Sequence, residues 1–252
     1  MSSRFLTALP VFNEASTVCS VLNEVVNYSD DILVVDDGST DGTRETLRNR
    51  NDIILVEHAT NQGYGGALIT AFQYAIDNDY EVIVTIDCDG QHEPQRIRHF
   101  VSAIDEKEAD IISGSRYLKT FHDNTSAPKD RQQINFQITK LLNRRLGYEL
   151  TDSFCGFKAY RVDAINKLKL TEKGYAMPLE LWVQAWCKNL SVVELPVPLI
   201  YLDEDRSFGD NLNDPQIRIN YYHDVLRRSF SALPDHCQKL DSLPQAFGVN
   251  ES

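Results

Sequence analysis

An α/β fold, a mostly parallel sheet flanked by helices, is what this sequence predicts, on three observations. Short runs rich in Val, Ile and Leu alternate with stretches whose apolar residues recur at helical spacing. The runs are nearly continuously apolar, as strands covered on both faces must be. Polar clusters follow the ends of several runs, where open α/β sheets bind their ligands.

The elements follow in order. RFLTALP (4–10) is a short strand, and EASTVCSVLNEVVNY (14–28) carries apolar residues at helical spacing. DILVVDD (31–37) is a second strand, and DGTRETLRNR (41–50) opens a second helix. DIILVEH (52–58), GGALITAFQYAIDN (65–78), YEVIVTIDCD (80–89), EPQRIRHFVSAIDE (93–106) and ADIISGS (109–115) continue as strand, helix, strand, helix and strand. The polar clusters are PVFNEAS after the first strand, DDGSTDGT after the second, CDGQHEP after the fourth and GSRY after the fifth. Four such clusters on one rim are most simply explained by an active site.

Composition excludes other classes. The 252 residues carry a net charge of -12, so no general nucleic-acid partner is expected. VVELPVPLIYL (192–202) contains Glu194 and two prolines and falls short of the ~20 residues that span a bilayer. No charged-then-apolar leader is visible before Asn13 and Glu14, and a cytoplasmic protein is expected. The five cysteines are widely spaced and form no CxxC pair; they read as small buried hydrophobes or free thiols. Strand alternation turns Cys88 away from the face shared by Asp87 and Asp89.

Two rival motifs are weak. DDGSTDG matches the first positions of a calcium loop through Asp37, Ser39, Asp41 and Gly42, but Arg48 stands where the bidentate Glu is required. Asp41 reads better as a cap of the following helix. NQGYGGAL hints at a dinucleotide fingerprint, yet it follows the third strand, and Leu68 takes the place of the last glycine. For Gly63, Gly65 and Gly66, close packing and a substrate-facing role both stay open.

LPVFNE, VVDDGSTDGT, NQGYGGAL, DCDGQHEP, SGSRY, TDSFCGFKAYR and GYAMPLEL, in that order from about Arg4 to Leu212, resemble the family 2 glycosyltransferases. Within them the chain is similar to the dolichyl- and polyprenyl-phosphate sugar synthases. The resemblance implies a GT-A-type nucleotide-sugar-binding fold over 1–212; beyond it, residue spacing predicts a C-terminal amphipathic helix and tail over 213–252, packed on that domain. It implies a hexosyltransferase that moves a sugar, with inversion, from a GDP-mannose or UDP-glucose type donor to an acceptor, foremost a polyprenyl phosphate. Asp87 and Asp89 would be the DxD pair holding Mg²⁺ or Mn²⁺, with Gln91 a third contact. Pro10, Phe12, Glu14, Asp36 and Asp37 would form the base and ribose pocket. Arg116 and Arg131 would grip phosphate through their planar forks. Asp152, with Gly156 and Phe157, would lie at the sugar pocket as a base or a hydroxyl ligand; Glu180 also matches a family position.

The chain departs from the family near its end. RSFGDN keeps Arg206 and Gly209 but has Asp210 and Asn211 where Glu and Ser are common, which bears on the sugar-phosphate contact. A soluble hydroxyl acceptor is one alternative, and a catalytically silent nucleotide-binding module another. A sugar-nucleotide pyrophosphorylase would show a Gly-rich basic loop where PVFNEAS stands. DPQIRINYYHDVLRRSFSAL (214–233) begins with Asp214 as N-cap and Pro215 at the first helical position. Ile217, Tyr221, Val225, Leu226 and Phe230 make its apolar stripe, which is expected to pack on the domain; a peripheral membrane contact through Arg218, Arg227 and Arg228 is the alternative.

Overall fold

The alternation expected from the sequence holds through the first five strands of the computed structural model, which describes residues 3–122, 124–125, 127–201 and 210–238. Strands β1 (Phe5–Val11), β2 (Ile32–Asp36), β3 (Ile54–Glu57), β4 (Val82–Thr85) and β5 (Ile111–Ser115) are separated by helices α1 (Val18–Val25), α2 (Thr43–Arg48), α3 (Tyr64–Asp77) and α4 (Ile97–Glu106). Helix α5 (Lys129–Leu146), strand β6 (Lys158–Arg161), helices α6 (Val162–Ile165) and α7 (Met177–Cys187), strand β7 (Val192–Pro196) and helices α8 (Pro215–Ser231) and α9 (Asp235–Gln238) complete the described chain.

The seven strands form one sheet in the order β3-β2-β1-β4-β6-β5-β7. All pairings are parallel except those of β6, which runs antiparallel to both β4 and β5. A strand that runs backwards starts at the edge where its neighbours finish. Thr85 at the end of β4 therefore pairs with Lys158 at the start of β6. The segment 151–157 arrives at the same rim as residues 86–92, although the two are about seventy positions apart.

Side-chain alternation along the strands supplies two apolar layers. Leu6, Ala8, Leu33, Val35 and Ile83 face one core with Phe72, Ile138, Trp182 and Leu226. Leu9, Ile32, Val34, Val82 and Val84 face the other with Leu22, Ile97, Phe100 and Phe157.

Three expectations need correction. The fourth strand ends at Thr85, not at Asp89, so both aspartates lie in the irregular segment beyond it; Cys88 is buried in the core as alternation required. Cys187 and Cys237 are joined in a disulfide, leaving Cys19, Cys88 and Cys155 as the free thiols. Spacing hid this pair because α7 and α9 meet only through the fold.

The third correction concerns α8. Asp214 does cap it, accepting from Gln216 N at 2.8 Å and Ile217 N at 3.0 Å, with Pro215 at the first position. Of the expected stripe Val225 and Leu226 are buried and Tyr221 and Phe230 pack against the same core, but Ile217 is exposed, and Arg218, Tyr222 and Ser229 are buried as well. Arg218 is buried against Asp130 at 2.5 Å. Arg227 pairs with Asp224 at 2.5 Å, and Arg228 with Asp224 at 2.9 Å and Glu172 at 3.1 Å. Each arginine proposed for an anionic surface thus already has a carboxylate. Among the described residues no helix is long and apolar enough to cross a membrane.

Candidate active site

The carboxyl ends of β2, β1 and β4 lie side by side, and the first two polar clusters interlock there. Asn13 donates its backbone N–H to Ser39 Oγ at 2.9 Å and accepts from Thr40 N at 2.8 Å through Oδ1. Asp41 accepts from Thr43 N and Ala15 N, both at 3.1 Å, so it serves the turn that starts α2. Pro10 is partly buried and Phe12 is 42% exposed at the mouth of this cluster. Thr17 Oγ1 lies 2.8 Å from Glu14 Oε2 and 2.9 Å from the Cys88 carbonyl oxygen, tying this turn to the segment after β4.

Asp36 and Asp37 are not presented to solvent. Asp36 is fully buried and accepts from Arg44 Nε at 2.7 Å and Ser39 N at 3.2 Å. Asp37 accepts from Gln62 N and Gly63 N, each at 2.8 Å, and lies 2.6 Å from His58 Nδ1. A buried carboxylate has to be matched by donors or countercharge. Here the donors come from residues 39–63, so both aspartates staple the loops around the pocket.

The same loop explains the three glycines. A Cβ on Gly63 would lie 2.4 Å from Lys173 O, and one on Gly65 would lie 2.4 Å from Glu172 O. Gly66 N donates to Lys173 O at 3.0 Å. Close packing, one of the two readings left open, is what they serve. Glu180 fixes the opposing loop, accepting from Thr171 N and Glu172 N at 2.8 Å each.

The opening after β4 is different in kind. Asp87 keeps 24% of its side chain exposed and accepts from Tyr64 Oη at 3.0 Å, with His92 Nε2 3.4 Å from its other oxygen. Burial, then the adjacent Asp87 charge, push the Tyr64 hydroxyl well above its usual range, so it stays a donor. Asp89 accepts from Gln91 N at 2.9 Å across Gly90, whose φ of 74° suits glycine. Gly156 closes the cradle: a Cβ there would sit 2.1 Å from Asp87 Oδ2. The buried Nδ1 of His92 has no partner among the described residues. Two partly open carboxylates and an amide oxygen are hard donors, the number and kind that Mg²⁺ or Mn²⁺ takes beside phosphate oxygens, so the residues fit the ion.

On the far side of the rim, Asp152 is fully buried and grips Arg116, which donates from Nε at 2.6 Å and Nη2 at 2.9 Å. Asn135 Nδ2 adds a donor at 2.7 Å and Phe154 N one at 3.1 Å. Burial alone would raise this carboxyl, but the Arg116 charge and the hydrogen bonds outweigh it and hold it at about 2. Such a group is a poor proton acceptor at neutral pH, which removes the footing of the base reading. Arg116 is correspondingly committed, with 23% of its side chain exposed. Glu194 in β7 secures the turn from beneath, accepting from Thr151 N at 2.8 Å and Asp152 N at 3.0 Å. Arg131, in the first turn of α5, bonds Tyr201 Oη and sits 5.4 Å from that ring's centroid. Arg206 and Gly209 lie outside the described residues, as do the side chains of Asp210 and Asn211.

Sequence reasoning did not single out Tyr64, His92, Asn135 or Glu194. Tyr64 and His92 stand inside quoted motifs, NQGYGGAL and CDGQHEP, and that position was their only signal. Asn135 and Glu194 carried none.

Residues 7–169 match the family model described as Glycosyl transferase family 2. The chain is 28% identical over 217 residues to an undecaprenyl-phosphate mannosyltransferase of Micrococcus luteus, covering 82% of this chain and 86% of that protein. It is 29% identical over 230 residues to a polyprenol monophosphomannose synthase of Mycolicibacterium smegmatis, covering 86% of each. Among solved structures, glucosyl-3-phosphoglycerate synthase from Mycobacterium tuberculosis in complex with Mn²⁺, UDP and phosphoglyceric acid superposes with a TM-score of 0.69. That likeness, at 15% identity over 92% of this chain and 80% of the other, establishes the GT-A fold.

Proposed function

Because the chain belongs to glycosyl transferase family 2 and is thus a glycosyltransferase of the polyprenyl-phosphate sugar synthase-like branch, we propose that it transfers a hexose from a nucleotide-sugar to a polyprenyl phosphate. The observation that carries the reading is the cradle at Asp87, where a glycine leaves room beside a partly open carboxylate at the meeting point of three strand ends. The two relatives named above are polyprenyl-phosphate mannosyltransferases, which supports a lipid phosphate over a free hydroxyl as acceptor. A mannose donor matches their names, and the structural neighbour is seen with UDP.

Asp87, Asp89 and Gln91 would hold Mg²⁺ or Mn²⁺, which supplies positive charge to the leaving diphosphate. The chain's own residues do the rest. Phe12 and Glu14 border the nucleoside pocket, whose walls Asp36 and Asp37 hold in shape from behind. Arg131, backed by the Tyr201 ring, is placed to bind the acceptor phosphate, and Arg116 is a strut fixed by Asp152. An acceptor oxygen attacks the anomeric carbon as the bond to the diphosphate breaks on the opposite side, inverting the configuration. A phosphate acceptor is already anionic, so no side chain has to remove a proton; a hydroxyl acceptor would need a base that Asp152 cannot supply.

The test is transfer to undecaprenyl phosphate with GDP-mannose or UDP-glucose and Mn²⁺. Activity should vanish in excess EDTA and in Asp89→Asn, with thermal melting unchanged for the variant. Undiminished turnover in EDTA removes the metal from the scheme.

A further inference from the structure

A second grouping of donor side chains lies at the other end of the sheet from the rim. Helix α7 starts beside the pocket loops, where a Cβ on Gly65 would lie 2.7 Å from Met177 Cβ. Its 11 residues, at 1.5 Å each, carry the chain about 16 Å away from there, and Cys187 is the last of them. The chain then turns into β7, whose first residue, Val192, pairs with Ile111 at the start of β5. Cys187 therefore stands at the amino ends of the parallel strands, remote from Asp87 and Asp89. Cys237 of α9 joins it in the disulfide described above, and His236 is the residue before Cys237. One ring nitrogen of His236 and the two sulfur atoms all lie within 4.8 Å of one another.

These donors differ in kind from those at the rim. Thiolate sulfur and imidazole nitrogen suit Zn²⁺, whereas carboxylate and amide oxygens suit Mg²⁺ and Mn²⁺. The surroundings fit a soft ion as well. Cys237 is buried and Cys187 packs against the same apolar core, while His236 is exposed, so the sulfurs are sheltered and the imidazole side leaves a path of entry. The backbone spacing suits two states of the pair. Cα atoms 5.6 Å apart are at the ordinary separation for a disulfide. Two sulfurs held tetrahedrally at about 2.3 Å from one ion stand about 3.8 Å apart, a separation that the same Cα spacing also allows. In a reducing compartment the pair stands as two thiols, and its fate then depends on what binds them.

We propose that Cys187, His236 and Cys237, once reduced, bind one Zn²⁺ through two thiolates and an imidazole, with water in the fourth position. Disulfide and ion are alternatives at one place, and a peroxide converts the second into the first. Each thiolate gives up one electron as the S–S bond forms; the peroxide O–O bond breaks and takes both electrons and two protons to become two waters, and Zn²⁺ leaves. A dithiol reverses the exchange: it is oxidised to its own disulfide, and the two cysteine sulfurs are free to ligate again. In either state α9 stays clamped to α7. The clamp also secures the end of α8, whose Tyr221 Oη and Arg228 Nη2 lie 2.7 and 3.1 Å from the Glu172 carboxylate in the loop packed on Gly65. The site is a staple that survives reduction of the disulfide, separate from the ion proposed at the rim.

The experiment titrates the reduced, metal-stripped full chain with Co²⁺ and then Zn²⁺. Co²⁺ should produce a sulfur-to-cobalt charge-transfer band at one ion per chain, and Zn²⁺ should bleach it. Asp89→Asn should keep the band, because the rim is a separate site. Peroxide should abolish it and release Zn²⁺ to a chromogenic chelator, one ion for each disulfide formed. Melting of the reduced chain should rise with Zn²⁺ concentration, as binding to the folded state alone requires. Cys237→Ser should lose the band. His236→Ala, at an exposed position that leaves the disulfide able to form, should weaken Zn²⁺ binding about tenfold or more. No charge-transfer band in the reduced chain, or an equal one in Cys237→Ser, overturns the site. Unchanged Zn²⁺ affinity in His236→Ala overturns the three-donor assignment. Melting that recovers on reoxidation but never with Zn²⁺ leaves the pair a disulfide alone and overturns the proposal.

Discussion

Replacing Asp152 separates a positioning carboxylate from a catalytic base. In Asp152→Asn the Arg116 guanidinium loses a fully buried partner that now receives five hydrogen bonds from Arg116, Asn135 and Phe154 groups. Lowering a carboxyl from 3.8 to about 2 corresponds to roughly 2–3 kcal/mol of stability at neutral pH. Breaking one side of a buried pair costs about 3–5 kcal/mol, and the partial exposure of Arg116 places the expected loss toward the lower figure. The sign follows from the folded value lying below the unfolded one. The contribution is complete above about pH 4 and disappears as the pH falls through about 2. Urea denaturation at neutral pH should therefore show Asp152→Asn weaker by about 2–3 kcal/mol, with the gap closing on acidification toward the folded value. The pH–rate profile of the remaining activity should keep its shape. Unchanged stability combined with loss of the acidic limb of that profile would refute the positioning role and restore Asp152 as the base.

Asp37→Ala removes the buried acceptor of the part-buried Gln62 and Gly63 N–H groups, at about 0.5–1.5 kcal/mol for each hydrogen bond. Denaturation should show that loss together with weaker nucleotide binding by calorimetry, whereas full stability with lost binding would mean a direct ligand contact. Gly156→Ala drives a methyl to 2.1 Å from Asp87 Oδ2. Displacing a carboxylate by such a distance should cost about a hundredfold in turnover and weaken Mn²⁺ binding measured by electron paramagnetic resonance; near-normal values for both would show that the cradle is not the ion's site. Reducing the Cys187–Cys237 bond, which closes a loop with a sequence separation of 50, should lower stability by about 4 kcal/mol on chain-entropy grounds. Identical melting of Cys187→Ser and the unaltered protein would contradict that.

Much of the architecture is legible in the sequence because it depends on near neighbours. Helical spacing marks α1, α3 and α4, apolar runs mark the first five strands, and Asp214-Pro215 marks the start of α8. The insertion of β6 between β4 and β5 was not legible, since KAYR has no feature that specifies direction or neighbour. The stripe of α8 was legible in Tyr221, Val225, Leu226 and Phe230, which pack on the core, but helical spacing could not show that Arg218 is buried with them, because its partner Asp130 comes from α5.

The motifs show which residues matter without showing what each does, and the carboxylates make the reason plain. Asp36, Asp37, Asp87, Asp89 and Asp152 look alike in the sequence, each at the end of an apolar run or in a polar cluster. Folding sorts them by their partners. Asp36 meets Arg44, Asp152 meets Arg116, and Asp37 meets two backbone N–H groups and His58, all within the buried scaffold. Asp87 meets a tyrosine hydroxyl and a histidine, and Asp89 the backbone of Gln91; both remain partly open. The first set therefore holds loops in place, while the second stays partly open at the rim, where the proposed cation would lie. Partners tens of positions away decide which is which, and only the fold brings them together.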